Sequence, residues 1–287
     1  MQPKLIPRFS LVLCTINRRQ EVDRFLESLS KQSFKNFEVV IIDQNDGEFL
    51  DSTVAKWANR LRIEHIKVLF RGLSRARNYG ISYTKGDLIA FPDDDCEYQP
   101  STLETVEIFF RQNATASIVI GKQISKIYSK KNSSPIQCKQ IENVFDMFLS
   151  KAISFTIFGR SNEIRSLEPA VFDEELGVGA GTKWGSGEET DFLIRGYRAG
   201  MTVFKHPAIM IFHPEKISSP KKCLHYGLGR HKVITKNKLG LVMYFFNLLQ
   251  PIARLFLRSE YHFLLSHLCT VLGRSGLPLL LRNRRVR

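Results

Sequence analysis

Cysteine is sparse and poorly placed for metal or disulfide chemistry. The five (Cys14, Cys96, Cys138, Cys223 and Cys269) include no short-spaced pair of the kind a structural zinc site needs. Their odd number argues against a secreted disulfide scaffold. The opening MQPKLIPRFSLVLCTINRR has an apolar stretch too short and too interrupted for a signal peptide, so a cytosolic compartment is the default expectation. Acidic side chains are almost missing from the last third. Residues 201–287 carry 15 Lys and Arg but 2 Asp and Glu, whereas residues 1–200 carry 27 and 26. The net charge of +14 therefore belongs to the last third, where six of the seven histidines also lie. A nucleic-acid-binding module would need those basic residues interleaved with exposed aromatics, and the acidic clusters of the first two thirds oppose it.

What is present is the composition of a folded domain. At 43% hydrophobic and 24% charged, the chain is not disordered. Its 287 residues suffice for one large domain or two small ones. Short β-branched runs alternate with amphipathic stretches. Strands are predicted at 10–16, 37–42, 63–69, 87–91, 118–121 and 155–159. Helices are predicted at 21–30, 51–61, 73–82, 101–112 and 188–197. This βαβαβαβ order implies an α/β fold with a largely parallel sheet covered on both faces. Ligands of such sheets sit beyond the carboxyl ends of the strands, where Thr15, Asp43 and Asp93-Asp94-Asp95 all fall. Residues 126–139 read as a polar, basic surface loop.

Three acidic groups stand out. Asp93-Asp94-Asp95 follows the buried run DLIAFP, and three adjacent carboxylates repel one another unless a cation or donors neutralise them. Hard oxygen ligands at a strand end suit Mg²⁺ or Mn²⁺ carrying substrate phosphates; a solvated acidic turn is the plainer alternative. Asp43, ending FEVVIID, either accepts a hydrogen bond from a base or ribose edge or makes an Asx-turn. Arg71, Arg75 and Arg77 in RGLSRARN either neutralise a diphosphate or decorate a helix surface. Glu188, Glu189 and Asp191 follow a glycine-rich stretch, five glycines between Gly177 and Gly187. A carboxylate there can serve as a general base, or simply complement a helix dipole.

Taken in order, four segments resemble a family 2 glycosyltransferase of the GT-A fold: LVLCTINR with LSKQSFKNFEVVIIDQND, then GLSRARNYGI, then GDLIAFPDDDC, then FDEELGVGAGTKWGSGEETDFLIRGYRAG. The resemblance spans roughly residues 8–235. It implies a metal-dependent, inverting transfer from a nucleotide-diphospho-sugar, with UDP the favoured carrier and Mn²⁺ or Mg²⁺ the ion. It places Thr15 and Asp43 against the uracil or ribose, and Arg71 or Arg77 near a base or phosphate contact. Asp93 and Asp94 would line the nucleotide pocket, with Asp95 the direct metal ligand. His213 in IMIFHP matches a further metal or phosphate ligand, or else packs at a strand end. Trp184 offers an apolar platform for a sugar face, or core packing. Where the family usually has Glu-Asp, this chain has Glu188-Glu189. Glu189 is then the base, with Asp191 the fallback if the register shifts by two.

A sugar-phosphate nucleotidyltransferase would share the sheet and the acidic ligands. It would favour a glycine-rich basic loop after the first strand, and CTINRRQEVDRF has no such glycines. The resemblance also implies a glycan or polyprenyl-linked saccharide acceptor, as in O-antigen or capsule assembly. The catalytic domain is expected over residues 1–235, its donor-binding half about 1–120 and its acceptor side about 121–235, followed by a basic, apolar helical tail over 236–287. In that tail LGLVMYFFNLLQPIARLFL is interrupted by Asn247, Gln250, Pro251 and Arg254, so interfacial helices fit better than a membrane span. Its Lys and Arg, ending in RNRRVR, suit anionic headgroups on the cytoplasmic membrane face. Packing on the domain or pairing into a homo-oligomer are the other uses open to it.

Overall fold

The computed structural model describes residues 6–125, 138–150, 152–214, 219–257 and 264–279. The predicted surface loop lies outside these residues except for its last two, and RNRRVR lies wholly outside them. The chain divides into two compact units. One comprises Met1–Arg71, Ala76–Val171 and Arg195–Glu215; the other comprises Gly72–Arg75, Phe172–Ile194 and Lys216–Arg287.

The first unit holds the sheet. Its strands are β1 (Phe9–Thr15), β2 (Phe37–Asp43), β3 (Ile63–Lys67), β4 (Leu88–Ala90), β5 (Glu97–Tyr98), β6 (Ile118–Ile124), β7 (Lys139–Ile141), β8 (Ile157–Arg160) and β9 (Val203–Phe212). They lie in the order β3-β2-β1-β4-β8-β6-β9-β5, with β7 pairing to β9. β3, β2, β1 and β4 run parallel, as the βαβ order implies. Every residue of β1 and β2 is buried, as the unbroken apolar runs of a sheet covered on both faces require. Helix α1 (Arg19–Ser30) packs Val22, Phe25, Leu26 and Leu29 into that core. α2 (Asp51–Trp57) and α3 (Leu73–Ile81) follow along the chain. α3 sits so close to the sheet that a side chain at Gly80 would meet Val12 Cγ1 at 2.6 Å. α4 (Thr102–Gln112) buries Leu103, Val106, Phe109 and Phe110.

The far half of the sheet mixes directions. β8 is antiparallel to both β4 and β6, while β6 and β9 run parallel. That pairing restores the direction of β1, so the carboxyl end of β9 lies on the same edge as those of β1, β2 and β4. The register between β6 and β9 shifts between Ile120 and Lys122. Gly121 sits at the shift because any side chain there would meet the Ile209 carbonyl oxygen at 2.5 Å. Two short helices, α5 (Val144–Leu149) and α6 (Ser161–Arg165), complete this part of the chain before α7 (Glu188–Arg198).

The second unit contains the glycine-rich segment, the start of α7, and three helices: α8 (Pro220–Lys236), α9 (Gly240–Leu257) and α10 (Leu264–Ser275). α8 begins with Pro220 in its first turn, and the Ser219 side chain accepts from Lys222 N. Two glycines let it approach its neighbours. A Cβ on Gly227 would stand 2.6 Å from Thr270 O of α10, and one on Gly229 only 2.1 Å from Ser186 O. α9 and α10 each leave an apolar stripe in solvent: Leu241, Val242, Phe245, Leu249, Ile252 and Phe256 on one, Leu264, Leu265, Leu268 and Leu272 on the other. Among the described residues, no helix is long and apolar enough to cross a membrane.

Candidate active site

Four strand ends converge on the carboxyl edge of the sheet. Thr15 closes β1 and stands in register with Asp43, which closes β2. Asp93 follows β4 and bridges to Cys14. His213 follows β9 and is held by its backbone N–H, which donates to Ile124 O. The parallel strands thus gather residues far apart in sequence without any special loop.

Charge at this edge is balanced by cations and donors. Arg18 reaches back from the turn after β1 and donates to Asp94 Oδ1 at 2.8 Å and Asp95 Oδ2 at 2.7 Å. Thr15 Oγ1 donates to Asp94 Oδ2 at 2.9 Å. Arg77, only 1% exposed, donates to Asp93 Oδ1 at 3.0 Å and to Ser154 Oγ at 2.6 Å. Burial pushes the Asp94 carboxyl up to about 6 against the pull of Arg18 and Thr15, and repulsion from Asp95 and Asp93 adds to the rise. Burial alone disfavours the Arg18 charge, but Asp94 and Asp95 more than offset this and hold the guanidinium above its usual range. The neighbouring Cys14 thiol is pushed up to about 12 by burial, so it stays protonated and is no nucleophile.

Asp93, Asp95 and His213 can each offer a ligand atom within 4.8 Å of the others. His213 Nε2 lies 3.0 Å from Asp95 Oδ1, and its ring stacks on Phe155 at 4.7 Å. Its Nδ1 is buried with no hydrogen-bond partner. Two carboxylates and an imidazole with a spare nitrogen are a donor set that fits Mn²⁺ or Mg²⁺. A second acidic cluster, Asp43, Asp51 and His65, also meets the distance criterion. It is already balanced: Asp51 Oδ2 accepts from Lys67 Nζ at 2.7 Å, and His65 Nε2 lies 2.9 Å from Asp43 Oδ2. Asp43 Oδ1 accepts from both the backbone and the side chain of Asn45, the Asx-turn that its position suggested. Burial raises the Asp43 carboxyl, but the hydrogen bonds from His65 and Asn45 outweigh it and leave the group below the usual range.

The structure brings Thr15, Asp93, Asp94, Asp95, Arg77 and His213 into one linked network. Arg71 stands apart from it, exposed and 3.3 Å from Asp46. Arg18 and Ser154 belong to the network, and His65 belongs with Asp43 in the second cluster; none of the three was singled out from the sequence. Arg18 had one signal: it lies three residues past Thr15, on the edge where three carboxylates need a cation.

The second unit holds the other acidic group. Leu73 N donates to Val178 O and Ser74 Oγ to Leu176 O at 2.7 Å, tying the start of GLSRARN to the glycine-rich segment. Asp191 is fully buried. Its Oδ2 accepts from Lys236 Nζ at 2.9 Å and its Oδ1 from Asn237 Nδ2 at 2.8 Å. Glu188 is buried and packs against Gly177, where a Cβ would fall 2.9 Å from its Cδ. Glu189 is half-buried. The Trp184 ring is flanked by the ammonium groups of Lys183, 5.0 Å from its centroid, and Lys232, at 5.4 Å.

Comparison with known proteins agrees with this construction. Residues 10–174 match the model of glycosyl transferase family 2. An uncharacterised glycosyltransferase of Haemophilus influenzae is 26% identical over 234 residues, 79% of this chain and 71% of that protein. Glycosyltransferase GlyG of Streptococcus pneumoniae is 30% identical over 116 residues, but these are 39% of this chain and 38% of that one. Among solved structures, Staphylococcus aureus TarS 1–349 in complex with UDP-GlcNAc superposes with a TM-score of 0.59 at 17% identity, over 80% of this chain and 66% of that one. Mannosyltransferase PcManGT from Pyrobaculum calidifontis, in complex with GDP-Man and Mn²⁺, gives 0.61 at 14% identity, over 83% and 66%. At such identities the structural likeness is one of fold, the GT-A fold. The sequence match covers more than half the chain and includes the ends of β1, β2 and β4 with Asp93–Asp95, and on that ground the chain belongs to glycosyl transferase family 2 and is a glycosyltransferase.

Proposed function

We propose that the chain transfers a sugar from a nucleotide-diphospho-sugar, with UDP as the carrier, to a hydroxyl of a glycan or lipid-linked saccharide, inverting the anomeric configuration. The observation that carries this reading is the convergence of Asp93, Asp95 and His213 at the carboxyl edge of a parallel sheet. Those three residues would hold Mn²⁺ or Mg²⁺, which supplies charge neutralisation for a diphosphate leaving group. Mn²⁺ in the mannosyltransferase complex supports that choice of ion. UDP-GlcNAc in the TarS complex supports the uridine carrier, though the mannosyltransferase takes GDP-Man. Asp43, kept ionised by His65 and Asn45, accepts hydrogen bonds from the base or ribose. Arg18 and Arg77 hold the acidic loop in one arrangement. Glu189 takes the proton of the acceptor hydroxyl. That oxygen attacks the anomeric carbon, and the bond from that carbon to the diphosphate oxygen breaks, so one displacement inverts the centre. Asp191 is the poorer base because both of its oxygens already accept hydrogen bonds from Lys236 and Asn237.

The setting we propose is surface-polysaccharide assembly at the cytoplasmic face of an anionic membrane. The exposed stripes of α9 and α10, in a region poor in acidic residues, support peripheral attachment. The test of the reaction is a donor screen with purified protein and Mn²⁺ or Mg²⁺, read as release of nucleoside diphosphate. Release should stop in chelator and return with the ion. Pyrophosphate as the product would replace this reading with nucleotidyl transfer, and full activity in chelator would remove the metal from it.

A further inference from the structure

Two arginines hold the acidic loop, and they hold it differently. Arg77 is enclosed at 1% exposure, between Asp93 and Ser154. Arg18 stands at the surface, its side chain 39% exposed. One nitrogen, Nη1, makes both of its carboxylate bonds, to Asp94 Oδ1 and Asp95 Oδ2. The rest of the guanidinium fork is therefore open to a further acceptor without leaving the site.

The turn that carries Arg18 is fixed at its base. Asn17 adopts a φ of 58°, the left-handed region that asparagine tolerates, and its N–H donates to Asn45 Oδ1 at 2.6 Å. Asn45 in turn donates from Nδ2 to Asp43 Oδ1. The reversal at Asn17 thus aims Arg18 back at the strand ends, on a support shared with Asp43.

Two demands meet at Asp95. Its Oδ2 accepts from Arg18, while its Oδ1 lies 3.0 Å from His213 Nε2. A divalent ion held by Asp93, Asp95 and His213 would share one carboxylate with a guanidinium, and two cations on one carboxylate repel. The ion carries the larger charge. The guanidinium has another place to go, because a donor diphosphate offers several charged oxygens of the kind an arginine fork fits best.

We propose, on the strength of the donor reading above, that Arg18 is an exchangeable counter-ion. It neutralises Asp94 and Asp95 until metal and donor arrive, and then transfers to the donor diphosphate. Arg77 keeps the loop in place throughout. Arg18 thereby couples the two ligands. Metal alone must enter against the guanidinium, and diphosphate alone finds that guanidinium engaged by two carboxylates, so each ligand lowers the cost of binding the other. An arginine that only braced the loop would give no such coupling.

The experiment measures Mn²⁺ binding to the full chain by paramagnetic resonance of the free ion, with and without UDP, corrected for ion held by UDP in solution. GDP replaces UDP if UDP does not bind. In the wild-type chain the nucleotide should tighten Mn²⁺ binding. Arg18→Gln should bind Mn²⁺ alone at least about tenfold more tightly, the equivalent of one charge-assisted hydrogen bond of competition removed. The tightening by nucleotide should shrink by a similar factor. Arg18→Lys keeps the charge but loses the fork, so its coupling should fall between the two; it serves where Arg18→Gln folds poorly. Arg18→Gln binding Mn²⁺ alone no more tightly than wild type, or wild-type coupling in either variant, would overturn the proposal and leave the donor reading standing. Asp95→Asn should lose Mn²⁺ binding. Binding retained in that variant, or found in none of the chains, would remove the metal site and the proposal with it.

Discussion

Each side chain in the candidate site is defined by the group that neutralises or orients it. Asp43 and His65 show this most directly. Asp43 ionises more readily than an ordinary carboxylate because His65 and Asn45 offset its burial. A group with a depressed folded pKa contributes stability above its unfolded pKa and loses it as pH falls through the folded one. His65→Ala leaves Asp43 buried but removes a donor, so its carboxyl should rise. The acid limb of nucleotide binding, followed by titration calorimetry with UDP, should move to higher pH. His65→Gln, which can still donate, should hold the limb nearer its original position, and an unmoved limb in His65→Ala would separate His65 from nucleotide binding. Glu189→Gln should lower kcat by about 10²–10⁴ while leaving UDP binding intact; full activity would return the role of base to another carboxylate. Thr15, Asp43 and Asp93–Asp95 were legible as a site because each ends a strand-like run. His65 was not, because its partner follows from strand register. It pairs with Ile41, and its side chain reaches Asp43 two residues on, along the same face of β2.

Elements are placed by patterns of differing clarity. β1, β2 and β4 are short runs of buried apolar residues bounded by polar turns, and their sequence periods suffice to find them. β9 is less legible, since Lys205, His206 and Pro207 break its alternation and its inward residues acquire meaning only beside β6. The basic stretch over 221–238 also hid its structure. It is helix α8, whose glycines serve contacts rather than turns. Gly229→Ala should therefore destabilise the chain by about 1–3 kcal/mol by overpacking against Ser186, a loss read from chemical denaturation. α7 shows an element whose acidic first turn has divided uses. Asp191 is held by Lys236 and Asn237 from the end of α8 and just beyond, so Lys236→Met leaves a fully buried carboxylate short of its cation. The expected cost is about 3–5 kcal/mol, with Lys236→Arg recovering much of it. A near-neutral result for Lys236→Met would mean that the remaining partners of Asp191, Asn237 among them, suffice.

At the scale of the whole molecule, the sequence's uneven charge and the structure's uneven apolar surface coincide. The +13 of residues 201–287 falls in the part of the chain whose helices α9 and α10 expose ten large apolar side chains. On α9 these recur at 241, 242, 245, 249, 252 and 256, one face of a helix, while Met243, Asn247 and Leu255 of the opposite face are buried. Apolar stripes of this extent on a soluble surface mark a partner. The bilayer proposed above fits the basic charge better than a second copy of the chain would, because two such surfaces repel each other while anionic headgroups attract both. Full burial of a Leu or Phe side chain is worth about 1.5–3 kcal/mol. Replacing Leu241, Phe245 and Leu249 together with Ser removes at least about 3 kcal/mol of insertion energy, since each is already more than half exposed. Flotation on phosphatidylglycerol-containing vesicles should then fall by about 100-fold or more. Added salt should weaken the wild-type chain's binding but not abolish it, because the screened part is electrostatic and the inserted part is not. Unchanged flotation in the triple variant, with a wild-type dimer in sedimentation that the variant lacks, would assign the stripes to a second copy instead.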